Sequence, residues 1–304
     1  MPTLQYPPPL TPGARIGIVA PASPFDKKKF EGGLAVLKEM GFEPVIAEGI
    51  FQKKRYLAGA DQHRAELINR YFRDDDIHAL ICARGGYGSM RILDHLDFPS
   101  IQEKPKIVVG FSDNSALLWS LYQQCGLAAL HGPTVTTLGQ ADALTRTSFY
   151  AALTSDQELT LETANQVTIK AGRASGPVVG GNLTTLCHLM GTAFAPWFKN
   201  CLVVLEDRGE APYRIDRMLT QMKLAGCFNQ VAGLALGFFE DCGAMEEIYT
   251  IVEDIFADMP IPILGGFEVG HGDRNLTVPM GVAATLDTEQ GRLSYQGPAT
   301  ASTV

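Results

Sequence analysis

The sequence predicts an α/β protein, with a parallel sheet in its first half and mixed α/β structure in its second. From Arg15 to about Leu130, short apolar, β-branched runs alternate with stretches of helical period. Such alternation with short connections implies a parallel sheet covered on both faces. The 304 residues are enough for two domains of ordinary size or one large one, and with 46% hydrophobic and 19% charged they supply a sizeable core and argue against disorder. Ligands of such sheets gather at the carboxyl ends of the strands, so the chemistry is sought in the loops there.

The first strand pattern is RIGIVA (15–20), followed by the turn PASP. Asp26 can then cap a helix with Phe30, Leu34 and Leu37 on one face and Gly41 at its end. A second short strand spans Glu43–Ala47, and Asp61 begins a helix with Ala65, Ile68 and Phe72 inward. ALICA (79–83) is a third strand, and Ile107–Val109 a fourth, broken by Gly110. From Asp113 a helical pattern places Ala116, Leu117, Leu118, Leu121 and Tyr122 on neighbouring turns, with Gly126 as its C′ residue. Leu127–Leu130 leads to His131-Gly132-Pro133. From about Gln140 the apolar pattern weakens, so the domains are placed at 1–155 and 175–304, with 156–174 as linker and Ser148–Leu153 as a last short helix.

The second half opens with GPVVGGNL (176–183), where Asn182 can start a helix running to Met190. CLVVL (201–205) is a strand ending in Glu206-Asp207-Arg208-Gly209-Glu210. Pro212 suits the first turn of the next helix, which carries Ile215, Met218, Leu219 and Met222 inward. VAGLALGFF (231–239), a helix over Glu246–Ala257, and a strand over Ile261–Leu264 follow. Met280–Leu286 and Arg292–Tyr295 read as closing strands.

A formal charge of −8 argues against non-specific nucleic-acid binding. The six cysteines lie in apolar segments without a C-x-x-C pair, which fits a reducing compartment and no zinc site. The start of the chain lacks the basic residues and long apolar run of a signal peptide, and no run approaches the ~20 residues of a membrane span. A cytoplasmic protein without membrane contact is expected.

Ser112 falls on a sharp strand-to-helix turn, in front of a helix N-terminus whose free N–H groups can stabilise an oxyanion. The α/β-hydrolase motif G-x-S-x-G is not met, because Asn114 stands where it needs Gly. The plainer alternative makes Ser112 or Asp113 an N-cap. Glycines 85, 86 and 88 in RGGYG suit an oxyanion donor, a phosphate cradle, or merely a tight turn. No phosphate-binding P-loop motif occurs. A serine nucleophile needs a base and an orienting carboxylate. His131 and His271 are candidate bases, and Glu206 and Glu210 candidate carboxylates. Their alternatives are a structural histidine, a turn residue and a solvated acidic loop. Spacing alone does not choose among them.

Six motifs in chain order are RGGYG (84–88), GFSD (110–113), HGP (131–133), GGNL (180–183), LEDRGEAPYRIDR (205–217) and GHGDRNLTVPMG (270–281). Together they closely resemble the LD-carboxypeptidase family of serine peptidases, which includes murein tetrapeptide carboxypeptidases and microcin C immunity peptidases. The resemblance runs from Arg15 to Leu286. It implies a flavodoxin-like parallel-sheet N-terminal domain, a smaller, β-rich α/β C-terminal domain carrying the Glu and His, and a homodimer. Matched by motif, it implies Ser112 as nucleophile, Glu206 as orienting carboxylate, His271 as base, and the Asp113 and Gly86 amides as oxyanion hole. No metal or cofactor is implied. The substrate implied is a murein peptide cleaved at the L,D-bond before its C-terminal D-alanine. Its free carboxylate calls for an arginine, with Arg84, Arg208 and Arg214 as unranked candidates. Two other readings remain. One is an immunity-type peptidase cleaving an aminoacyl-nucleotide antibiotic, for which Trp119, Trp197 or Tyr213 would stack a base. The other is a non-catalytic α/β binding protein.

Overall fold

The computed structural model describes residues 3–301. In the first half the chain runs β1 (Arg15–Val19), α1 (Lys27–Glu39), β2 (Glu43–Ile46), α2 (Asp61–Arg73), β3 (Ala79–Cys82), α3 (Phe98–Glu103), β4 (Ile107–Gly110), α4 (Ser115–Cys125), β5 (Ala129–His131), α5 (Val135–Leu138) and α6 (Ala143–Thr154). Asp26 caps α1 by accepting from the Lys29 amide at 2.8 Å, and Gly126 closes α4 at φ 66°, as their residue types predict. Strands β2-β1-β3-β4-β5 pair in parallel in that order, the flavodoxin-like arrangement. β3 and β4 are buried along their whole length, the reason they read as unbroken apolar runs rather than alternating ones.

The second half runs β6 (Thr160–Lys170), β7 (Arg173–Asn182), α7 (Leu183–His188), β8 (Leu202–Arg208), α8 (Pro212–Leu224), β9 (Gly233–Glu240), α9 (Met245–Ile255), β10 (Ile263–Phe267), β11 (Val278–Met280), β12 (Ala283–Asp287) and β13 (Arg292–Tyr295). Seven of these strands close a barrel in the order β10-β6-β13-β12-β7-β8-β9. β7 to β10 are parallel neighbours linked by helices, and the remaining pairings are antiparallel. The expected mixed, β-rich second unit is therefore present.

Three expectations need correction. The stretch 156–174 is not a free linker, because it contains β6, an 11-residue barrel strand. It reads as polar because much of it faces solvent, which antiparallel strands allow. The run Met280–Leu286 is not one strand. Gly281, at φ 85°, divides it. Val278–Met280 joins the first sheet antiparallel to β5, and Ala283–Asp287 joins the barrel. Pro279 is tolerated because β11 is the sheet edge. Finally, β8 does not stop at Leu205 but continues through Glu206 and Asp207, which are 0% and 2% exposed.

The chain thus returns to its first sheet after building the barrel. Buried apolar side chains from both halves form one continuous cluster. Trp119 in α4 donates its indole N–H to the Phe194 carbonyl at 2.9 Å, and Ser115 Oγ accepts from the Asn182 amide at 3.0 Å. These contacts seat α4, directly after Ser112, against the barrel.

Candidate active site

Ser112 has φ 63°, in the left-handed region, after Phe111 at φ −155°. A non-glycine residue there is strained by about 1–3 kcal/mol and turns its side chain out of the layer of β4. A short 3-10 turn over Ser112–Asn114 then leads into α4. The Asp113 carboxylate is buried and accepts from the Ser89 amide at 2.8 Å, tying the elbow to the end of the glycine loop. Burial pushes this carboxyl above the ordinary range, against the opposing pull of the Ser89 hydrogen bonds.

The glycine loop packs directly on the elbow. A Cβ at Gly85 would lie 2.8 Å from Ser112 Cβ and 3.0 Å from its Oγ. Gly86 has φ 111°, and a Cβ there would strike the side chain of Ser23. The loop is anchored by Tyr87, whose amide donates to Ser23 Oγ at 3.1 Å, and by buried Arg64, which donates to the Pro21 and Gly88 carbonyls. Among the described residues, neither the Gly86 nor the Asp113 amide has a protein acceptor, which leaves both available to an oxyanion.

Glu206 lies in β8 where β9 carries a bulge. Leu205 pairs with Leu236 and Asp207 with Phe239, so two residues of β9 oppose Glu206 alone. Bulges of this kind re-aim a side chain. The Glu206 Oε2 accepts from His271 Nδ1 at 2.6 Å. Gly270, at φ 105°, passes so close that any Cβ there would overlap the Glu206 side chain. Burial alone would push the Glu206 carboxyl up, but the two histidines beside it, His131 and His271, outweigh burial and hold it at about 2. Burial disfavours a charge on His271, yet the Glu206 partner outweighs that and raises its pKa above the ordinary value. When His271 is neutral, its proton sits on Nδ1 facing Glu206, and Nε2 is left as an acceptor.

The His271 loop is itself held in place. Asn275 Oδ1 accepts from the Gly270 amide at 2.9 Å, and Arg274 pairs with Asp142 at 2.6 Å and Glu268 at 3.1 Å. The Phe111 ring lies against His271, with centroids 4.9 Å apart.

Ser112, Gly85, Gly86 and His271 line one open cavity of about 540 Å³. Its wall also includes Arg84, Arg208, Asp26 and Lys29, together with Thr134, Thr136, Thr137 and Gln140. The wall is therefore drawn from the segments that follow β1, β3, β4 and β5 together with the end of β8 and the His271 loop of the barrel half. Of the three arginines singled out from sequence, Arg84 and Arg208 are in this wall and Arg214 is not. Arg214 lies on α8 over a separate hollow, paired with Glu210 at 3.3 Å. That pairing also removes Glu210 from the site. Trp119 is buried in the core, and Trp197 and Tyr213 are exposed away from the cavity wall, whose aromatic members are Phe111 and His271. The threonines after His131 carried no sequence signal, since their place in the wall follows from α5 packing across the sheet end. No group of three or more potential metal ligands occurs among the described residues, and no described helix is long and apolar enough to cross a membrane.

Comparison with known proteins gives this geometry a context. Residues 16–132 match the family model described as the LD-carboxypeptidase N-terminal domain, and residues 175–286 match that of the C-terminal domain. A probable murein peptide carboxypeptidase of Bacillus subtilis is 35% identical, covering 95% of this chain and 93% of its own. A murein tetrapeptide carboxypeptidase of Pseudomonas aeruginosa is 32% identical, covering 90% and 93%. The microcin C7 self-immunity protein MccF of Escherichia coli is 29% identical over 94% of each chain. A solved wild-type structure under the MccF name superposes with a TM-score of 0.90 at 26% identity, covering 98% of this chain and all of the other. With both halves matched in order and whole-length relatives above 30% identity, the chain belongs to the LD-carboxypeptidase family of serine peptidases.

Proposed function

We propose that this protein is a serine carboxypeptidase that removes the C-terminal D-alanine from murein tetrapeptides, with Ser112, Glu206 and His271 as its triad. The observation that carries the reading is the strained elbow of Ser112 sharing one cavity with a histidine whose other ring nitrogen is bonded to a fully buried carboxylate. Murein peptide carboxypeptidases among the whole-length relatives support the substrate class.

In this mechanism His271 Nε2 accepts the Ser112 proton, which requires a separation of about 2.6–3.2 Å in the substrate complex. Ser112 Oγ attacks the scissile carbonyl, and the Asp113 and Gly86 amides take the oxyanion. The His271 imidazolium formed is stabilised by Glu206, and it then protonates the departing D-alanine amine. Water deprotonated by His271 attacks the acyl-Ser112 ester, and Ser112 recovers its proton as the shortened peptide leaves. Lys29, Arg84 and Arg208 outnumber Asp26 on the wall, a balance suited to a substrate with a free carboxylate. The aminoacyl-nucleotide reading draws on the MccF relatives, but the indole and phenol groups that would stack a base lie away from the wall.

The test is mass spectrometry of a murein tetrapeptide incubated with the wild type and with Ser112→Ala. Loss of one D-alanine with the wild type alone is expected. Turnover by both proteins would remove Ser112 from the mechanism. No turnover by either would redirect attention to aminoacyl-nucleotides, and failure there would favour a binding protein.

A further inference from the structure

His131 is 1% exposed, yet among the described residues neither of its ring nitrogens has a hydrogen-bond partner. The same is true of Glu206 Oε1, the carboxylate oxygen that His271 does not occupy. These unpartnered groups face one another, with His131 Nε2 and Glu206 Oε1 3.9 Å apart. Leaving a buried donor and a buried carboxylate oxygen both unmet is costly. A side-chain adjustment of under about 1 Å brings them to hydrogen-bonding distance.

The surroundings hold the ring in place. His131 pairs with Gly110 of β4 and with Val278 of β11, so its backbone is fixed on both sides within the sheet. Phe111 packs edge-on against it at 6.0 Å between centroids. Gly181, at φ 124°, lies beside the ring, where a Cβ would be in ordinary contact with His131 Cδ2 at 3.4 Å but would overlap the Ser115 side chain.

We infer that His131 is a positioning residue for Glu206, donating its Nε2–H to Oε1 so that the carboxylate is held between two imidazoles. A carboxylate bonded through one oxygen can still turn about its side-chain torsions. A second donor on the other oxygen fixes its plane and keeps Oε2 aimed at His271 Nδ1. The inference rests on the Ser112–Glu206–His271 reading. It assigns His131 no contact with substrate, and His131 is absent from the cavity wall.

The test compares D-alanine release from a murein tetrapeptide by the wild type, His131→Leu, His131→Gln, Glu206→Gln and the His131→Leu/Glu206→Gln double variant. Losing a hydrogen bond to a charged group should lower kcat of His131→Leu about 10- to 100-fold while KM stays within about twofold. His131→Gln restores an N–H donor and should recover most of that loss. In the Glu206→Gln background the second substitution should cost less than about threefold, because the two residues act as one unit. A full-sized loss in that background, or an unchanged kcat with only a lower melting temperature, would overturn the inference. Should His131→Leu fail to fold, long-range 1H–15N correlation on ¹⁵N-histidine wild type reads the tautomer directly. A proton on His131 Nε2 supports the contact, and one on Nδ1 overturns it. If Glu206→Gln alone keeps wild-type kcat, the triad reading fails instead, and the tautomer still reports on the contact.

Discussion

Gly85 packs directly against Ser112, and this contact makes Gly85→Ala an informative perturbation. Gly85 does not have a positive φ, so alanine suits its backbone and the effect is steric. The added Cβ would sit 2.8 Å from Ser112 Cβ and 3.0 Å from Oγ. Carbon atoms prefer about 3.5–4.0 Å, so the Ser112 side chain must retreat by roughly 0.7–1.2 Å. Overpacking on this scale costs about 1–3 kcal/mol of stability, which a chain of this size should survive. A reacting group misplaced by about 1 Å costs on the order of 100-fold in rate, or about 2.7 kcal/mol in the barrier. The assay is kcat/KM for D-alanine release, beside the melting temperature and the rate of Ser112 labelling by a fluorophosphonate. Gly297→Ala, where an added Cβ meets nothing within 4 Å, is the control and should match the wild type. Gly85→Ala should remain folded yet lose both turnover and labelling. A folded Gly85→Ala protein with turnover within about threefold of the wild type would refute the reasoning that this contact positions the nucleophile.

Three further outcomes are expected. Ser112 sits at φ 63°, so Ser112→Gly should be more stable than Ser112→Ala by roughly 0.5–1 kcal/mol, after the extra chain entropy of glycine is subtracted from the relieved strain. Chemical denaturation of these two variants checks this, and an alanine variant as stable as the glycine one contradicts it. Because Glu206 raises the His271 pKa, kcat/KM should increase with pH through a midpoint above the ordinary 6.5 as His271 becomes a neutral base. Glu206→Gln should lower that midpoint, which an NMR titration of the His271 ring reads even when turnover is slight. The stability linkage has matching signs. The contribution of protonated His271 is complete below 6.5 and fades as pH rises through its folded value. That of ionised Glu206 is present above 4.5 and fades as pH falls towards about 2. Arg208→Ala should raise KM for the tetrapeptide about 10-fold or more, whereas Arg214→Ala, over its separate hollow, should leave KM unchanged. Equal effects from both would detach Arg208 from the substrate carboxylate.

Local pattern alone determined much of this protein. The unbroken runs at Ile16–Val19, Ala79–Cys82 and Ile107–Gly110 are strands because burial on both faces demands apolar side chains throughout, and that demand is written residue by residue. The turn at Ser112 was equally legible, since an apolar strand, a glycine and a helical period leave it no other place. Tertiary structure decided what depends on partners distant in the chain. From spacing alone Glu206 was as compatible with a solvated acidic loop as with an orienting carboxylate, yet it and the adjoining Asp207 are buried in β8. A buried carboxylate is admissible only where donors meet it, and these come from far along the sequence. His271 meets Glu206, while Thr184 and Asn182 meet Asp207. The return of Val278–Met280 to the first sheet, the rejection of Arg214 and the approach of His131 to Glu206 were likewise invisible to spacing. Each depends on how the barrel closes against the first sheet, and no short stretch of sequence records that closure.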